Sequence, residues 1–275
     1  HVLTLTSPTT LAIEVYGTLN IGNQPFTISA PGGSSFANSG TVNGTGELRT
    51  SGTVSMVVSP PFNPPLRVLG GTTTAYGTFN GTVTVNSGAT LAVQAGNMLS
   101  VYGDLTVNGT LSGGDINSSL FFYGTTLTNT GTVSLANVYF YGGSAQSITG
   151  SGAWTGNGLF ETQADVTLAN DIAMAFSTFH FNYNFSAIFS FNNHVLTLTS
   201  PTTLAITVYG TLNIGNQPFT ISAPGGSSFA NGGTVNGTGE LRTSGTVSMS
   251  TSAFIPPLRV LGGTTTAYGT FNGTV

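Results

Sequence analysis

The chain has 275 residues, of which only 4 are basic and 8 acidic, and it contains no lysine and no cysteine. Four scattered arginines form no basic stripe, which argues against nucleic-acid binding, and the lack of cysteine excludes disulfides and thiolate metal sites. No apolar run approaches the ~20 residues that a membrane-spanning helix needs. Val, Leu, Ile, Phe and Tyr nevertheless recur regularly, so the composition predicts a folded chain rather than a disordered one.

The main feature of the sequence is a long internal repeat. Residues 1–83 return almost letter for letter as residues 194–275, at an offset of 193. The two copies differ mainly where Val57–Asn63 is replaced by Ser250–Ile255, which is one residue shorter. A period of this kind decides the fold class, because each repeat of an array is a structural unit that stacks on its neighbours.

The repeat also sets the predicted domain organisation. We expect one full tandem repeat over residues 1–193 and the start of the next near-identical repeat over residues 194–275, with no true domain boundary between them. The second copy stops at Val275, whose counterpart Val83 continues into further sequence. Neither end has the look of a natural terminus, so we expect the segment to belong to a longer tandem array.

Alternation of apolar and polar residues with period two dominates the chain and predicts β-strands. In the segment that begins at Leu11, the residues Leu11, Ile13 and Val15 share one face, and Glu14 lies on the other. The counterpart of Glu14 in the second copy is Thr207, which fits an exposed position. No stretch shows the periodicity and capping of a helix. The chain is therefore predicted to be all-β.

Short alternating strands are followed again and again by a Tyr-Gly, Asn-Gly, Ser-Gly or Thr-Gly corner, where glycine supplies a positive φ. The spacing of the Tyr-Gly corners predicts about nine coils of roughly 21 residues in each period, the size of a solenoid coil. We expect a parallel β-helix, or β-solenoid, that forms a continuous rod. A string of separate β-sandwiches is the alternative. The Tyr-Gly corners begin at residues 16, 76, 102, 123, 141 and 209.

Four prolines between residues 60 and 65 interrupt the strand pattern, in the segment where the two copies differ. Proline has no N–H to donate to a strand ladder, so we expect this segment to loop out of the stack. A surface loop that varies between copies is also a candidate recognition site, and residues 57–63 are the predicted binding loop if the protein is an adhesin.

Between Phe179 and Phe191 nearly every odd position is aromatic and most even positions are polar. The pattern predicts one long strand, or two strands with a bend, with a stripe of rings on one face. The stripe is either packed in the core between coils or exposed as a lateral surface that binds a neighbouring fibre. For the second interpretation the candidate contact residues are Phe179, Phe181, Tyr183 and Phe185.

The charged residues do not predict catalysis. β-Solenoids that cleave polysaccharides need clustered carboxylates, often beside basic residues. Glu47 and Arg49 are better interpreted as a surface ion pair, and Asp165 and Asp171 have no obvious partner in the sequence. No histidine pair has metal-ligand spacing, and no serine lies in a nucleophile motif. We therefore expect no enzyme activity, no cofactor and no metal, and a polysaccharide lyase or hydrolase is the least favoured function.

Seven Asn-X-Ser/Thr sequons are candidate sites of N-linked glycosylation in an extracellular protein. Asn-Gly-Thr is also the sequence that a β-corner prefers, so both interpretations remain open. The sequons begin at Asn43, Asn80, Asn108, Asn117, Asn184, Asn236 and Asn272.

The Gly-Thr-Val/Leu corners, the richness in Asn, Thr and Ser and the near absence of charge resemble the parallel β-helix stalks of secreted bacterial and archaeal surface proteins. Autotransporter passengers and filamentous-haemagglutinin-like adhesins are the families that the chain resembles most. The resemblance implies a place outside the cell or on its surface. The 193-residue period departs from the shorter, more divergent repeats of those families and is more typical of a giant fibre-forming protein.

Together these observations predict a structural subunit of an extracellular filament or cell-surface stalk, with other copies of itself as partners. The alternative is an adhesin that binds a glycan or host surface through loops such as residues 57–63. Neither function calls for nucleic acid or for a membrane span in this segment.

Overall fold

The computed structural model describes residues 2–275, apart from the side chain of Ala253. His1, the first residue of the predicted repeat, lies outside the described residues. Every helix or strand assigned between residues 2 and 275 is a β-strand, and the pairings are parallel, as predicted for a β-solenoid. The chain divides into two compact units, the first ending at Ala136 and the second spanning Asn137–Val275.

In the first unit each strand pairs with a strand one coil away. One core-facing ladder shows the stacking, and its shortest step joins Leu66 to Val83, whereas its longest joins Leu3 to Phe26. The ladder runs Leu3, Phe26, Leu48, Leu66, Val83, Leu105, Leu127. The strands of this unit are β1 (Leu3–Thr6), β2 (Leu11–Val15), β3 (Thr18–Asn20), β4 (Phe26–Asn38), β5 (Thr41–Asn43), β6 (Leu48–Phe62), β7 (Leu66–Phe79), β8 (Val83–Val85), β9 (Ala89–Val93), β10 (Met98–Val101), β11 (Leu105–Val107), β12 (Thr110–Gly113), β13 (Ser119–Phe122), β14 (Thr126–Asn129) and β15 (Thr132–Ser134).

The second unit repeats this arrangement with an aromatic core. In one ladder of this unit the shortest step joins Met249 to Ala267, and the longest joins Phe179 to Ile206. The ladder runs Val138, Phe160, Phe179, Ile206, Phe229, Met249, Ala267. The strands are β16 (Asn137–Phe140), β17 (Gln146–Thr149), β18 (Ala153–Thr155), β19 (Leu159–Thr162), β20 (Val166–Leu168), β21 (Ile172–Ala175), β22 (Thr178–Phe181), β23 (Ile188–Ser190), β24 (Leu196–Thr199), β25 (Leu204–Val208), β26 (Thr211–Asn213), β27 (Phe219–Ser222), β28 (Ser227–Asn231), β29 (Thr234–Asn236), β30 (Leu241–Phe254) and β31 (Leu258–Phe271).

The core follows from the period-two pattern of the sequence. Alternate residues of each strand point inward, so apolar side chains of successive coils stack directly on one another. Val83, Val85, Leu105 and Val107 are each 0–1% exposed. In the second unit the Phe160 ring is 5.5–5.8 Å from those of Phe140, Phe176 and Phe179. The predicted average of about 21 residues per coil is confirmed, although individual coils differ widely in length.

Some Tyr-Gly corners need glycine for space rather than for a positive φ. Gly77 has a φ of 107°, as predicted for a Tyr-Gly corner, but the φ values of Gly103 and Gly124 lie outside the left-handed region. A Cβ on Gly124 would overlap the carbonyl oxygen of Gly103 in the adjacent coil. Only glycine lets the two backbones approach this closely.

The proline-containing segment is in the stack, and the prediction that it loops out is wrong for most of its length. Strand β6 continues to Phe62, whose ring is buried against those of Phe36 at 6.0 Å and Phe79 at 5.8 Å. The ladder register shifts between Val58 and Phe62, so that Ser59–Pro61 forms an exposed bulge on the strand. The gain from burying Phe62 outweighs the ladder hydrogen bonds that the prolines cannot make.

Replacement of Gly124 by alanine is expected to destabilise the first unit by roughly 1–3 kcal/mol, because the new methyl group overlaps the backbone of the adjacent coil. Gly70→Ala is the matched control, since a Cβ there meets nothing within 4 Å and the φ of Gly70 is not positive. Urea unfolding midpoints measure the difference. Equal midpoints for the two variants would contradict the close approach of the coils.

Candidate functional site

The described residues were compared with the requirements of a membrane span and of a metal site. Among the described residues no helix is long and apolar enough to span a membrane. Over the same part of the chain, no group of three or more His, Asp or Glu residues is placed to hold a metal ion. The outward-facing side chains of the coils are the groups that a ligand or partner can reach.

The most specialised group of outward side chains lies on one face of the second unit, and we call it the aromatic–carboxylate cluster. Tyr139, Glu161 and His180 stand opposite one another on three successive coils. They point outward because their strand neighbours, such as Phe160 and Phe179, point into the core. The cluster comprises Tyr139, Tyr141, Glu161, Gln163, His180, Tyr183, Phe185 and Tyr209.

Glu161 is the polar centre of the cluster, with a side chain that is only 8% exposed. Its Oε1 accepts hydrogen bonds from the Tyr141 hydroxyl at 3.2 Å and from Gln163 Nε2 at 2.9 Å, and its Oε2 lies 3.2 Å from His180 Nδ1. Burial raises the pKa of Glu161, but the hydrogen bonds from His180, Gln163 and Tyr141 outweigh it and leave the pKa below its ordinary value of 4.5. Glu161 is therefore held as a carboxylate.

Aromatic rings cover the outer side of this polar centre. The Tyr209 ring is 5.6 Å from His180, 4.9 Å from Tyr183 and 5.9 Å from Phe185, in edge-to-face contacts. Tyr183 is 50% exposed and Phe185 is 73% exposed. Such ring contacts stabilise a cluster by about 0.5–1.5 kcal/mol each beyond area burial, so the rings hold one another in place at the surface.

A polar groove of about 230 Å³ adjoins the rings. Gln163, Asp165, Asn184 and Ser186 line it, together with the turn that begins at Gly142. Gln163, which contacts both Tyr141 and Glu161, belongs to both the groove and the cluster, and Asn184 of the groove lies between Tyr183 and Phe185 in sequence. Together they offer exposed ring faces beside amide, hydroxyl and carboxylate groups.

The cluster differs from the three coils that follow it on the same face. Moving on from His180, the outward residues opposite it are Thr207, then Ala230, then Ser250, and only the last coil again carries a large side chain, Tyr268. Small side chains of this kind are sufficient for the outer side of a coil. The large polar and aromatic side chains from Tyr139 to Tyr209 are therefore not a requirement of the stacking itself.

The predicted Glu–Arg ion pair is present in both copies. Glu47 lies 2.7 Å from both Arg49 and Arg67, and Glu240 lies 2.7 Å from Arg242. Burial raises the pKa of Glu47, but hydrogen bonds from Arg49 and Arg67 outweigh it and lower the pKa overall. The contact with Arg67 links neighbouring coils, and the partial exposure of the arginines limits the contribution of these pairs to stability.

Asp165 and Asp171, which lack an obvious partner in the sequence, both bind the next coil. Asp165 Oδ1 accepts a hydrogen bond from the Ile188 amide at 2.8 Å, and Asp171 Oδ1 accepts one from the Val195 amide at 2.9 Å. The partners are 23 and 24 residues away, about one coil, and only the stacking brings them together. The carboxylates serve as caps for turns of the following coil.

The candidate lateral contacts separate into two pairs. Phe179 and Phe181 are 0% exposed and pack in the core, so no lateral partner can reach them, whereas Tyr183 and Phe185 are exposed. The reason is a turn that follows the end of β22 at Phe181. Asn182, the first residue of this turn, has a φ of 60°, and the rings of Tyr183 and Phe185 after it face outward. The core interpretation fits the first pair of rings, and a contact role remains a prediction for the second pair.

The sequons lie at the surface, and several of their side chains bind neighbouring coils. Asn80 Nδ2 donates to Asn63 Oδ1 at 2.8 Å, and Asn108 Oδ1 accepts from the Thr130 hydroxyl at 2.7 Å. These contacts support the interpretation of Asn-Gly-Thr as a β-corner sequence. Glycosylation of the same residues remains a prediction. Asn236 is half-buried, and the exposed sequon residues are Asn43, Asn80, Asn108, Asn117, Asn184 and Asn272.

No known protein family, curated protein or solved structure matches this chain. The stacked parallel coils define it as an all-β protein of the β-solenoid class. Sequence reasoning found Tyr183 and Phe185 through the aromatic stripe but assigned no site role to Tyr141, Gln163, His180 or Tyr209. The signal available for Tyr141, Gln163 and Tyr209 was the alternation of polar and aromatic residues one coil before and one coil after the stripe.

Glu161→Gln is expected to lower the free energy of unfolding at pH 7 by roughly 1–3 kcal/mol, because a buried charged acceptor of three partners is lost. The folded-state pKa of Glu161 lies below 4.5, so its contribution is present above that pH and disappears as the pH falls through the folded value. Urea unfolding at pH 7 and at a series of lower pH values tests this. Glu14→Gln, at an exposed position, is the control, and a difference between wild type and Glu161→Gln that grows as the pH falls would contradict the assignment.

Proposed function

We propose that the chain is a structural segment of an extracellular filament or cell-surface stalk built from tandem β-solenoid repeats. The observation that carries the proposal is that the two copies of the repeat form the same stacking contacts. Leu48 lies opposite Leu66 in the first copy, and Leu241 lies opposite Leu258 in the second. A sequence that reproduces its own coil contacts in this way is suited to extension by repetition.

Polar contacts between coils are also reproduced. The buried hydroxyl of Thr50 is 2.7 Å from that of Thr73, and their counterparts in the second copy, Thr243 and Thr265, are 2.9 Å apart. Hydroxyl pairs and Asn contacts take the place of the charged pairs of ordinary surfaces. The low charge is consistent with association of copies, because little electrostatic repulsion opposes it.

The location outside the cell is part of the proposal and rests on the resemblance to secreted β-helix stalks. The glycine, serine, threonine and asparagine corners and the scarcity of charge support it. The chain resembles autotransporter passengers and filamentous-haemagglutinin-like adhesins. From this resemblance we infer only the stalk function.

An adhesin is the second candidate, because one exposed element differs between the copies. The bulge at Ser59–Pro61 and the neighbouring Asn63 are exposed, and this is the segment replaced by Ser250–Ile255 in the second copy. A polysaccharide-cleaving enzyme is the least supported candidate. Glycoside hydrolysis uses a pair of carboxyl groups as acid and base, whereas Glu161 is bound by His180, Gln163 and Tyr141, and Asp165 accepts a hydrogen bond from the Ile188 amide.

The structural proposal is tested by the length of defined arrays. Proteins with one, two and three 193-residue repeats are expected to form rods whose length grows by about 43 Å per repeat, because about nine coils stack at ~4.8 Å each. Negative-stain electron microscopy and small-angle scattering measure this length. Particles whose maximum dimension does not grow in equal steps would contradict the proposal.

Location is tested separately in cells that produce the protein. An antibody against the exposed turn around Asn117 is expected to label intact, unpermeabilised cells or filaments attached to them. An antibody against a cytosolic protein of the same cells is the control and should label only permeabilised cells. Labelling of the repeat protein that also requires permeabilisation would contradict an extracellular role.

A further inference from the structure

We propose that the aromatic–carboxylate cluster and its groove form a binding site for a neutral glycan. The site joins the exposed rings of Tyr183 and Phe185, supported by the half-buried Tyr209, to a polar groove lined by Gln163 and Asn184. It is distinct from the bulge at Ser59–Pro61, and it does not depend on whether the chain forms filaments.

The ring surface suits the apolar face of a sugar. A sugar ring has one face of C–H groups and a rim of hydroxyls, so it needs an apolar surface next to hydrogen-bonding groups. Phe185 and Tyr183 present ring area to solvent, and Tyr209 packs against both of them and against His180. Rings that support one another lose little side-chain freedom when a ligand binds, which lowers the cost of binding.

The polar groups beside the rings are already fixed in position. Gln163 Nε2 binds both the Tyr141 hydroxyl and Glu161 Oε1, and Gln163 also lines the groove, so this side chain is fixed where a ligand would lie. Glu161 in turn positions His180 through its Nδ1. A buried carboxylate that holds three outer side chains is a supporting group typical of a preorganised binding site.

Charge decides which kind of glycan fits. Two carboxylates, Glu161 and Asp165, belong to the cluster and its groove, and the arginines of the second unit, Arg242 and Arg259, lie beside Glu240 instead. Sulfated or uronic-acid polymers would meet negative charge without a matching cation. A neutral oligosaccharide avoids this cost and can use the amide, hydroxyl and imidazole groups.

The size of the ring surface argues against a second copy of the chain as the occupant. A stable protein–protein interface uses about 20–30 residues on each side. Here the exposed rings of Tyr183 and Phe185 pack on the half-buried Tyr209, and the small outward residues Thr207, Ala230 and Ser250 separate them from the next exposed ring of the face, Tyr268. A patch of this size matches two or three sugar rings better than a protein surface.

The repeat provides an internal control for the site. Tyr16 is the counterpart of Tyr209 in the first copy and has the same local sequence, with Glu14 in place of Thr207. The Tyr16 hydroxyl donates to Glu14 at 2.6 Å, and the ring is 76% exposed. If a tyrosine at this position of the repeat were sufficient by itself, Tyr16 and Tyr209 would contribute equally to binding.

The test uses the 275-residue chain made in a host without N-glycosylation, so that Asn184 carries no sugar of its own. The probes are neutral cello-, chito-, xylo- and malto-oligosaccharides, with sulfated and uronic-acid oligosaccharides for comparison, and binding is measured by calorimetry and by saturation-transfer NMR. Tyr183→Ala, Phe185→Ala and Tyr209→Ala are each expected to weaken binding about five- to tenfold. Tyr16→Ala is expected to leave it unchanged, and circular dichroism checks that each variant is folded.

Saturation transfer to a neutral oligosaccharide that is weakened in Phe185→Ala and kept in Tyr16→Ala supports the proposal. Three results overturn it: no neutral probe binds at millimolar concentration, the ring variants bind as well as wild type, or only the anionic probes bind. Burial of Tyr183 and Phe185 in dimers, seen as a concentration-dependent loss of their solvent exposure without any sugar binding, assigns the surface to a second copy and also overturns it.

Discussion

The parallel hydrogen-bond ladder between successive coils is the constraint on which the other features of this protein depend. Strands β8 and β11 have only three residues each, and isolated strands of this length are not stable in water. They persist because each is paired on both sides within its unit, β8 with β7 and β11, and β11 with β8 and β14. The close approach of Gly124 to Gly103 and the cap from Asp165 to Ile188 both serve this stacking.

Much of the fold was predictable from sequence because stacking needs a simple pattern. The alternation of Leu105, Thr106 and Val107 is sufficient to predict an inward–outward–inward strand, and the structure confirms it. The prediction failed at the prolines near Phe62, where propensity and burial oppose each other. The stabilisation of Phe62 comes from rings that are distant in sequence, Phe36 and Phe79. The local sequence around the prolines therefore could not predict the bulged strand.

The candidate site was less predictable, for a geometric reason. Which outward side chains meet depends on the length of each coil, and the coils differ: the step from Phe179 to Ile206 is much longer than the step from Leu66 to Val83. If the assumed coil length were wrong by one residue, Glu161 would be placed opposite a core-facing residue instead of opposite His180. The cluster could be recognised only once the register placed Tyr139, Glu161 and His180 in one column.

The stacking register can be measured directly, because the chain contains no cysteine of its own. Thr106 and Thr128 lie opposite each other on adjacent coils, so the double variant Thr106→Cys/Thr128→Cys is expected to form a disulfide under mild oxidation, within the Cα separation of about 4.4–6.8 Å that the bond requires. Thr106→Cys/Thr126→Cys is the control, since it is displaced by two residues along the strand. Rapid cross-linking of the first pair alone is the predicted result, and equal rates for both pairs would contradict the parallel stack.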